Sequence, residues 1–206
     1  MSEFDRKKHW ENIYETKSLH ELSWYQPTPE TSLEFIKNAQ LPLDAKIIDI
    51  GGGDSFLVDH LIELGYTNIS VLDISAKAIE RAKERLGEKA VNVIWIVSDI
   101  CEFKTSEKYD FWHDRAAFHF LTAESDITTY LKKVTQFTSE KGLVVIGTFS
   151  ESGPLKCSGI EIKQYATEEL QNIFFKDFEF LKGFKTDHKT PFETIQSFTF
   201  CEFRKK

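Results

Sequence analysis

From residue 47 onward, short apolar runs alternate with amphipathic stretches. Ile47-Ile48-Asp49-Ile50 is a run of the kind that forms a strand buried on both faces. Three glycines, Gly51-Gly52-Gly53, follow it. Phe56, Leu57, Val58, Leu61, Ile62 and Leu64 then recur at helical spacing until Gly65 stops the helix. The alternation continues with a strand over Ile69–Asp73, a helix over Ser75–Leu86 ended by Gly87, and strands over Val91–Val97 and Tyr109–Asp114. A helix over Thr122–Thr138 turns Ile127, Leu131 and Val134 inward, and the fifth strand covers Leu143–Phe149. A loop over Ser150–Tyr165 and a short helix capped by Thr167 come next. Two β-rich runs, Phe178–Lys185 and Thr194–Phe203, end the pattern, separated by Thr186–Phe192.

Upstream, Phe4–Glu15 reads as a short amphipathic helix carrying Trp10, Ile13 and Tyr14, followed by an irregular aromatic loop over Leu22–Pro27. Thr28 is placed to cap a helix with Pro29 at its first position, and Leu33, Ile36 and Ala39 form its apolar stripe before Pro42. Five β-α units closed by a hairpin predict an α/β fold. The expected form is a single Rossmann-like three-layer α/β/α domain, with a seven-stranded, mostly parallel sheet and an antiparallel last strand. No internal repeat or linker interrupts it, so one domain over 1–206 is expected. Within it, 1–40 would be an N-terminal helical cap over the ligand site and 41–206 the core.

Composition narrows the function classes. Hydrophobic residues at 41% and aromatics at 14% place the chain among globular proteins, and the eighteen Phe are numerous enough to fill the sheet–helix interfaces. The formal charge of −7, with no basic cluster before Arg204-Lys205-Lys206, would repel a phosphate backbone, so no nucleic-acid partner is expected. Cys101, Cys157 and Cys201 lie far apart without metal-ligand spacing, so no metal is expected and the thiols read as reduced. Met1–Trp10 lacks the apolar core of a signal peptide, and no apolar run approaches bilayer length. A cytoplasmic protein without membrane contact, monomeric or weakly dimeric, is the expectation.

The chemistry begins at the glycine turn, where positive φ and the missing Cβ let main chain approach a ligand. Strand, turn and helix in that order set N–H groups at the strand's carboxyl end, an arrangement for anionic or polar small molecules. A dinucleotide fingerprint would need a third glycine where Phe56 stands, which disfavours nicotinamide and flavin dinucleotides. Asp49, Gly51 and Gly53 instead resemble motif I of the class I S-adenosylmethionine-dependent methyltransferases, with Ser55 where many members carry a further glycine. Asp73 ends the second strand twenty residues after Gly53, where a carboxylate can accept hydrogen bonds from both ribose hydroxyls. Val71-Leu72-Asp73-Ile74-Ser75, with Ala78-Ile79 and Ala82, is similar to the family's second motif. Asp99-Ile100 is similar to its third, where an acid accepts from the adenine amino group and an apolar neighbour packs the ring.

The resemblance runs from about Trp10 to the end. It implies the family's fold, S-adenosylmethionine as cofactor with S-adenosylhomocysteine as product, and a site that includes Gly52 of the turn. Trp10, Tyr14 and Trp24 resemble the aromatic entry segment of thiopurine and thiol/halide methyltransferases. Such faces stabilise a sulfonium by cation–π attraction, although Trp10 and Tyr14 also read as helix residues packing on the core. Methyl transfer from a sulfonium is mainly a matter of alignment, and a base is needed only for a protonated acceptor.

Candidates for the remaining roles follow the fourth strand. His113 or Asp114 is expected at the methionine part of the cofactor, and His113 and His119 are candidate bases. Lying between Phe118 and Phe120, His119 reads more readily as a packed residue. Arg115 either recognises an anionic acceptor or pairs with Asp114, with pairing the favoured reading. Tyr165, His188 and the loop around Cys157 are expected near the acceptor, with Cys157 a solvent-accessible bystander and the loop a lid. The residues after strand four, His113-Asp114-Arg115-Ala116, do not match the Asn/Asp-Pro-Pro-Tyr/Phe signature of amide and adenine nitrogen methylation. Trp10 to Tyr14 is also similar to the start of lysine methyltransferases acting on metabolic enzymes and translation factors. A small thiol, amine or carboxylate is the preferred acceptor, with a protein lysine, or cofactor binding without catalysis, as alternatives.

Overall fold

The computed structural model describes residues 4–206; residues 1–3, part of the expected domain, lie outside the described residues. Five strands run parallel: β1 (Ile47–Ile50), β2 (Ile69–Asp73), β3 (Val93–Val97), β4 (Tyr109–Arg115) and β5 (Thr138–Phe149). Beside β5 lie β6 (Phe178–Lys189) and β7 (Ile195–Lys205), and the sheet order is β3-β2-β1-β4-β5-β7-β6. Among the described strands of this sheet β7 alone runs against the others, because the final hairpin inserts its second strand antiparallel between β5 and β6. The strands β6 and β7 are longer than the pattern predicts. Pairing continues to Lys189↔Ile195, and the turn closes through Thr190 N–H donating to Thr194 O at 2.8 Å, so most of the expected loop is strand.

Among the described residues, six α-helices accompany the sheet: α1 (Arg6–Thr16), α2 (Glu30–Ala39), α3 (Leu57–Glu63), α4 (Ala76–Leu86), α5 (Glu124–Phe137) and α6 (Thr167–Phe174). Side-chain alternation along the strands divides the core. Ile47, Val71, Phe111, Val145 and Phe200 pack with α2, α3 and α4 on one face. On the other, Ile48, Leu72, Trp112, Ile146 and Phe203 pack with α5 and α6. Phenylalanines occupy both interfaces: Phe35 stacks on Phe200, and Phe174 on Phe203. Each fully buried ring contributes about 1.5–3 kcal/mol. The α1 helix sits above the carboxyl edge, where Ile13 and Tyr14 pack with Leu22 and Ala78.

Several local expectations shift by a residue or two. Ser75, where the helix is expected to begin, is the N-cap of α4, accepting from Ala78 N–H at 3.1 Å. Pro29, not Thr28, occupies the cap position of α2, and Ala166, not Thr167, that of α6, where Glu169 accepts from the Ala166 N–H. The Ser150–Tyr165 segment contains a small hairpin, Lys156–Cys157 against Ile160–Glu161, and is tied down by Tyr165 N–H to Phe149 O at 3.0 Å and Lys163 N–H to His119 O at 2.9 Å.

Candidate functional site

The glycine turn leaves β1 at the carboxyl edge. Gly51 has φ of +65°, and a Cβ there would stand 2.7 Å from Ala117 Cβ. At Gly52 a Cβ would come within 2.5 Å of Asp49 Oδ2 and 2.9 Å of Val71 Cγ1, so the chain passes too close to its own acid for any side chain. Alternation along β4 then decides which polar groups meet. Asp49 and His113 are cross-strand partners on the α2 face. His113 Nδ1–H donates to Asp49 Oδ1 at 2.7 Å, and its Nε2 shares a hydrogen bond of 2.8 Å with Ser32 Oγ from α2.

Two further acids stand at the next strand ends. Asp73 is buried, and its Oδ1 accepts from Ser75 N–H at 2.8 Å. Burial raises its pKa to about 7, opposed by the Ser75 N–H and reinforced by the charges of Asp49 and Glu11. Asp99 Oδ1 accepts from Cys101 N–H at 2.8 Å, while Arg6 of α1 bridges Asp99 at 3.3 Å and Asp126 at 3.0 Å. Glu11, one turn further along α1, accepts from Ser75 Oγ at 2.7 Å and from the N–H groups of Ala76 and Lys77 at 2.9 and 3.0 Å. The α1 helix is thereby fastened to both neighbouring strand ends.

Between α1 and the sheet edge lies a cavity of about 110 Å³. Its walls include Trp10, Tyr14, Trp24, Asp73, Ile74, Asp99, Ile100, Arg115, Phe120 and Cys157. A smaller lobe adjoins it at Gly51, Tyr14, Trp24 and Arg115, and reaches Asp49, Gly52, Phe56 and His113. The aromatic wall is edge-packed: Trp10 meets Trp24 at 5.7 Å and Phe120 at 5.0 Å between ring centres. Gly53 lies just behind, where a Cβ would be 2.5 Å from Asp73 Oδ2 and 3.2 Å from the Tyr14 hydroxyl.

Other predicted site residues fall elsewhere. The Asp114 side chain sits on the α5 face, where Oδ1 accepts from Ala117 and Phe118 N–H at 3.0 Å each and Oδ2 from the Tyr130 hydroxyl at 2.6 Å. It therefore does not pair with Arg115, which projects to the opposite face. His119 is fully buried behind the cavity; its Nδ1 accepts from Phe149 N–H at 3.3 Å, and burial followed by the Arg115 charge lowers its pKa to about 3. Tyr165 is likewise buried, stacked on Phe118. His188 lies inside β6, donating from Nε2 to Ser23 O at 2.7 Å and accepting at Nδ1 from Gln26 Nε2 at 3.1 Å, so it anchors the aromatic loop. Cys157 is not solvent-accessible: only 6% exposed, it forms part of the cavity wall, and burial lifts its thiol pKa to about 11.

The pattern reading missed Arg6, Glu11, Ser32 and Phe120. Arg6 stands at i−4 from Trp10 and i−8 from Tyr14, a spacing that puts all three on one helix face. Ser32 is a polar residue at i−4 from Ile36 on an otherwise apolar stripe, also a readable signal.

A family described as "Methyltransferase domain" matches residues 47–142, a span that holds the glycine turn and every strand-end acid named above. The chain belongs to the class I S-adenosylmethionine-dependent methyltransferases. This methyltransferase is similar to EEF1A lysine methyltransferase 2 of Homo sapiens, at 24% identity over 87% of this chain and 77% of that protein. It is also similar to malonyl-[acyl-carrier protein] O-methyltransferase of Anoxybacillus flavithermus, at 31% identity over 51% of this chain; that match spans only 39% of the relative's length. Its fold is that of the N-methyltransferase NodS from Bradyrhizobium japonicum, solved with S-adenosyl-L-homocysteine, with a TM-score of 0.72 at 16% identity over 98% of this chain and 99% of the other. The methyl donor of the family, S-adenosylmethionine, is the cofactor of this chain. Among the described residues no helix is long and apolar enough to cross a membrane.

Proposed function

We propose that this methyltransferase acts on a small-molecule thiol, amine or carboxylate, with the donor lying along the carboxyl edge of the sheet. Asp99 and Ile100 take the adenine, Asp73 the ribose, and the Gly51–Gly53 turn with Asp49 the methionine part. Trp10, Tyr14 and Trp24 cover the sulfonium, and 1–40 caps one domain that extends over 1–206. The bare-backbone turn and the Asp73 carboxylate facing the cavity support the fit. When bound, S-adenosylmethionine supplies an electrophilic methyl group whose leaving thioether needs no proton. The protein's part is alignment and exclusion of water, to which the aromatic wall is suited. Engagement of both His113 nitrogens and the burial of His119 support a mechanism without a dedicated histidine base.

One observation carries the choice of acceptor. Apart from Arg6 and the strand-end acids, the charged group that lines the cavity is Arg115, in company with Trp24, Ala116, Phe120 and Cys157. A lysine ammonium entering there would face a guanidinium where it needs a carboxylate. Calorimetry with S-adenosylmethionine, S-adenosylhomocysteine and NAD tests the donor, and we expect the sulfonium pair to bind and NAD to be ignored. Asp73→Ala should weaken S-adenosylhomocysteine by roughly 10–100-fold, the worth of hydrogen bonds to a charged group. Labelled donor incubated with cell lysate should then place label in the small-molecule fraction. Label in protein would favour a lysine acceptor, in line with the similarity to EEF1A lysine methyltransferase 2. No transfer above the Asp73→Ala control would leave a binding protein.

A further inference from the structure

Arg115 ends β4 with a guanidinium that forms no ion pair among the described residues. Nη1 donates to Trp24 O at 3.1 Å, the Cζ lies 4.9 Å from the centre of the Phe198 ring, and Nη2 is buried with no hydrogen-bond partner among the described residues. Its sequence neighbour Asp114 is turned to the other face and saturated by Ala117, Phe118 and Tyr130. Asp49 acts on it through space but spends Oδ1 on His113. His119, His188 and Cys157 stand nearby, and burial favours the neutral form of each: the imidazoles titrate at about 3 and 4, the thiol at about 11. A largely desolvated charge with an unspent donor and an acid that acts on it only through space is costly, and an anion bound at Nη2 recovers part of that cost.

Its place along the sheet edge says whose anion. Asp99, Asp73 and the glycine turn follow β3, β2 and β1, so the donor's adenine, ribose and methionine parts run toward β4. Arg115 comes next: it borders the lobe at Gly51, and its guanidinium lies against Phe198 of β7, beyond β5. We propose that Arg115 is the carboxylate receptor of the acceptor site, so that the methylated compound carries a carboxylate held by the guanidinium fork. This deepens the small-molecule reading above and rests on the donor site described there.

The test uses wild-type protein with Arg115→Met, which removes the charge, and Arg115→Lys, which keeps the charge but loses the fork. Protein saturated with S-adenosylhomocysteine is titrated with acetate, propionate, phenylacetate and indole-3-propionate, each against its primary amide. At least one acid should bind wild type tenfold or more tightly than its amide. Arg115→Met should lose that preference and Arg115→Lys should keep part of it, while S-adenosylhomocysteine affinity changes less than threefold in both. If no acid outcompetes its amide in wild type, the proposal is wrong. It is equally wrong if Arg115→Met or Arg115→Lys loses tenfold or more in S-adenosylhomocysteine affinity while 5′-methylthioadenosine, which lacks the amino-acid part, binds as before. That outcome would assign Arg115 to the donor's own carboxylate. Failure of wild type to bind S-adenosylhomocysteine at all would strike the donor site instead, so the two readings fail separately. Should Arg115→Met not fold, the acid–amide comparison in wild type and Arg115→Lys still decides the matter.

Discussion

Asp73 shows how burial can make a binding residue sensitive to pH. In the free protein its carboxyl titrates at about 7, against an ordinary value of 3.8, because burial outweighs the Ser75 N–H while Asp49 and Glu11 add like charge. A folded pKa raised above the unfolded one means that the native state holds the extra proton between the two values. This group's contribution to stability therefore declines as pH rises from about 4 to about 7. Ribose hydroxyls donate to the ionised form and pull the pKa back down, so ligand binding near neutrality releases a proton. S-adenosylhomocysteine affinity should accordingly be flat above about pH 7.5 and fall below it, approaching tenfold per unit at the limit. Calorimetry from pH 5.5 to 8.5 measures the slope directly. Asp73→Asn should bind more weakly and lose the slope; a slope that survives this substitution would place the titrating group elsewhere.

At the level of elements, α1 is bound to the sheet edge by charge as much as by its apolar face. Glu11 serves as a borrowed N-terminal cap for α4, accepting two backbone N–H groups and the hydroxyl of Ser75. Loss of a cap of this kind costs about 0.5–2 kcal/mol, and negative charge at a helix N-terminus adds a few tenths more. Glu11→Ala should lower the urea midpoint by an amount worth about 1–2 kcal/mol and weaken S-adenosylhomocysteine severalfold, since Ser75 also positions Asp73. An unchanged midpoint would show that the contact contributes nothing in solution. The strands, the glycine turn and the start of α4 near Ser75 were legible because period and glycine placement are local signals. Glu11 and Arg6 act across dozens of residues and announce themselves only by sharing helix faces with Trp10 and Tyr14. Arg115 was half legible. Its charge near the site could be read, but pairing it with Asp114 ignored the alternation of β4, which sends adjacent side chains to opposite faces. His119 is buried, as its place between Phe118 and Phe120 suggests, whereas Tyr165 and His188 stand outside the cavity lining: a polar aromatic gives no sign in the sequence of which side of the sheet edge it will enter.

Across the whole molecule, the cavity is assembled from parts unequally committed to the fold. Its floor is the middle of the sheet, β1, β2 and β4, whose side chains belong to the two large cores. Its roof is α1, the aromatic loop and the small hairpin around Cys157, held by a small cluster of four buried residues, by Arg6 and Glu11, and by the His188 hydrogen bonds. Ligand at a hundredfold excess over Kd stabilises the native state by about 2.7 kcal/mol, which protects every amide that exchanges through global unfolding. Amides that exchange through local opening respond only where the ligand opposes that opening. Hydrogen exchange with and without S-adenosylhomocysteine should therefore slow fast-exchanging amides over residues 6–26 and 153–162. Fast amides of β6, at the far edge of the sheet and outside both lobes, should keep their rates. Equal slowing in both groups would mean that roof and floor open as one unit, and no change over 6–26 would mean that the cap does not close on the donor.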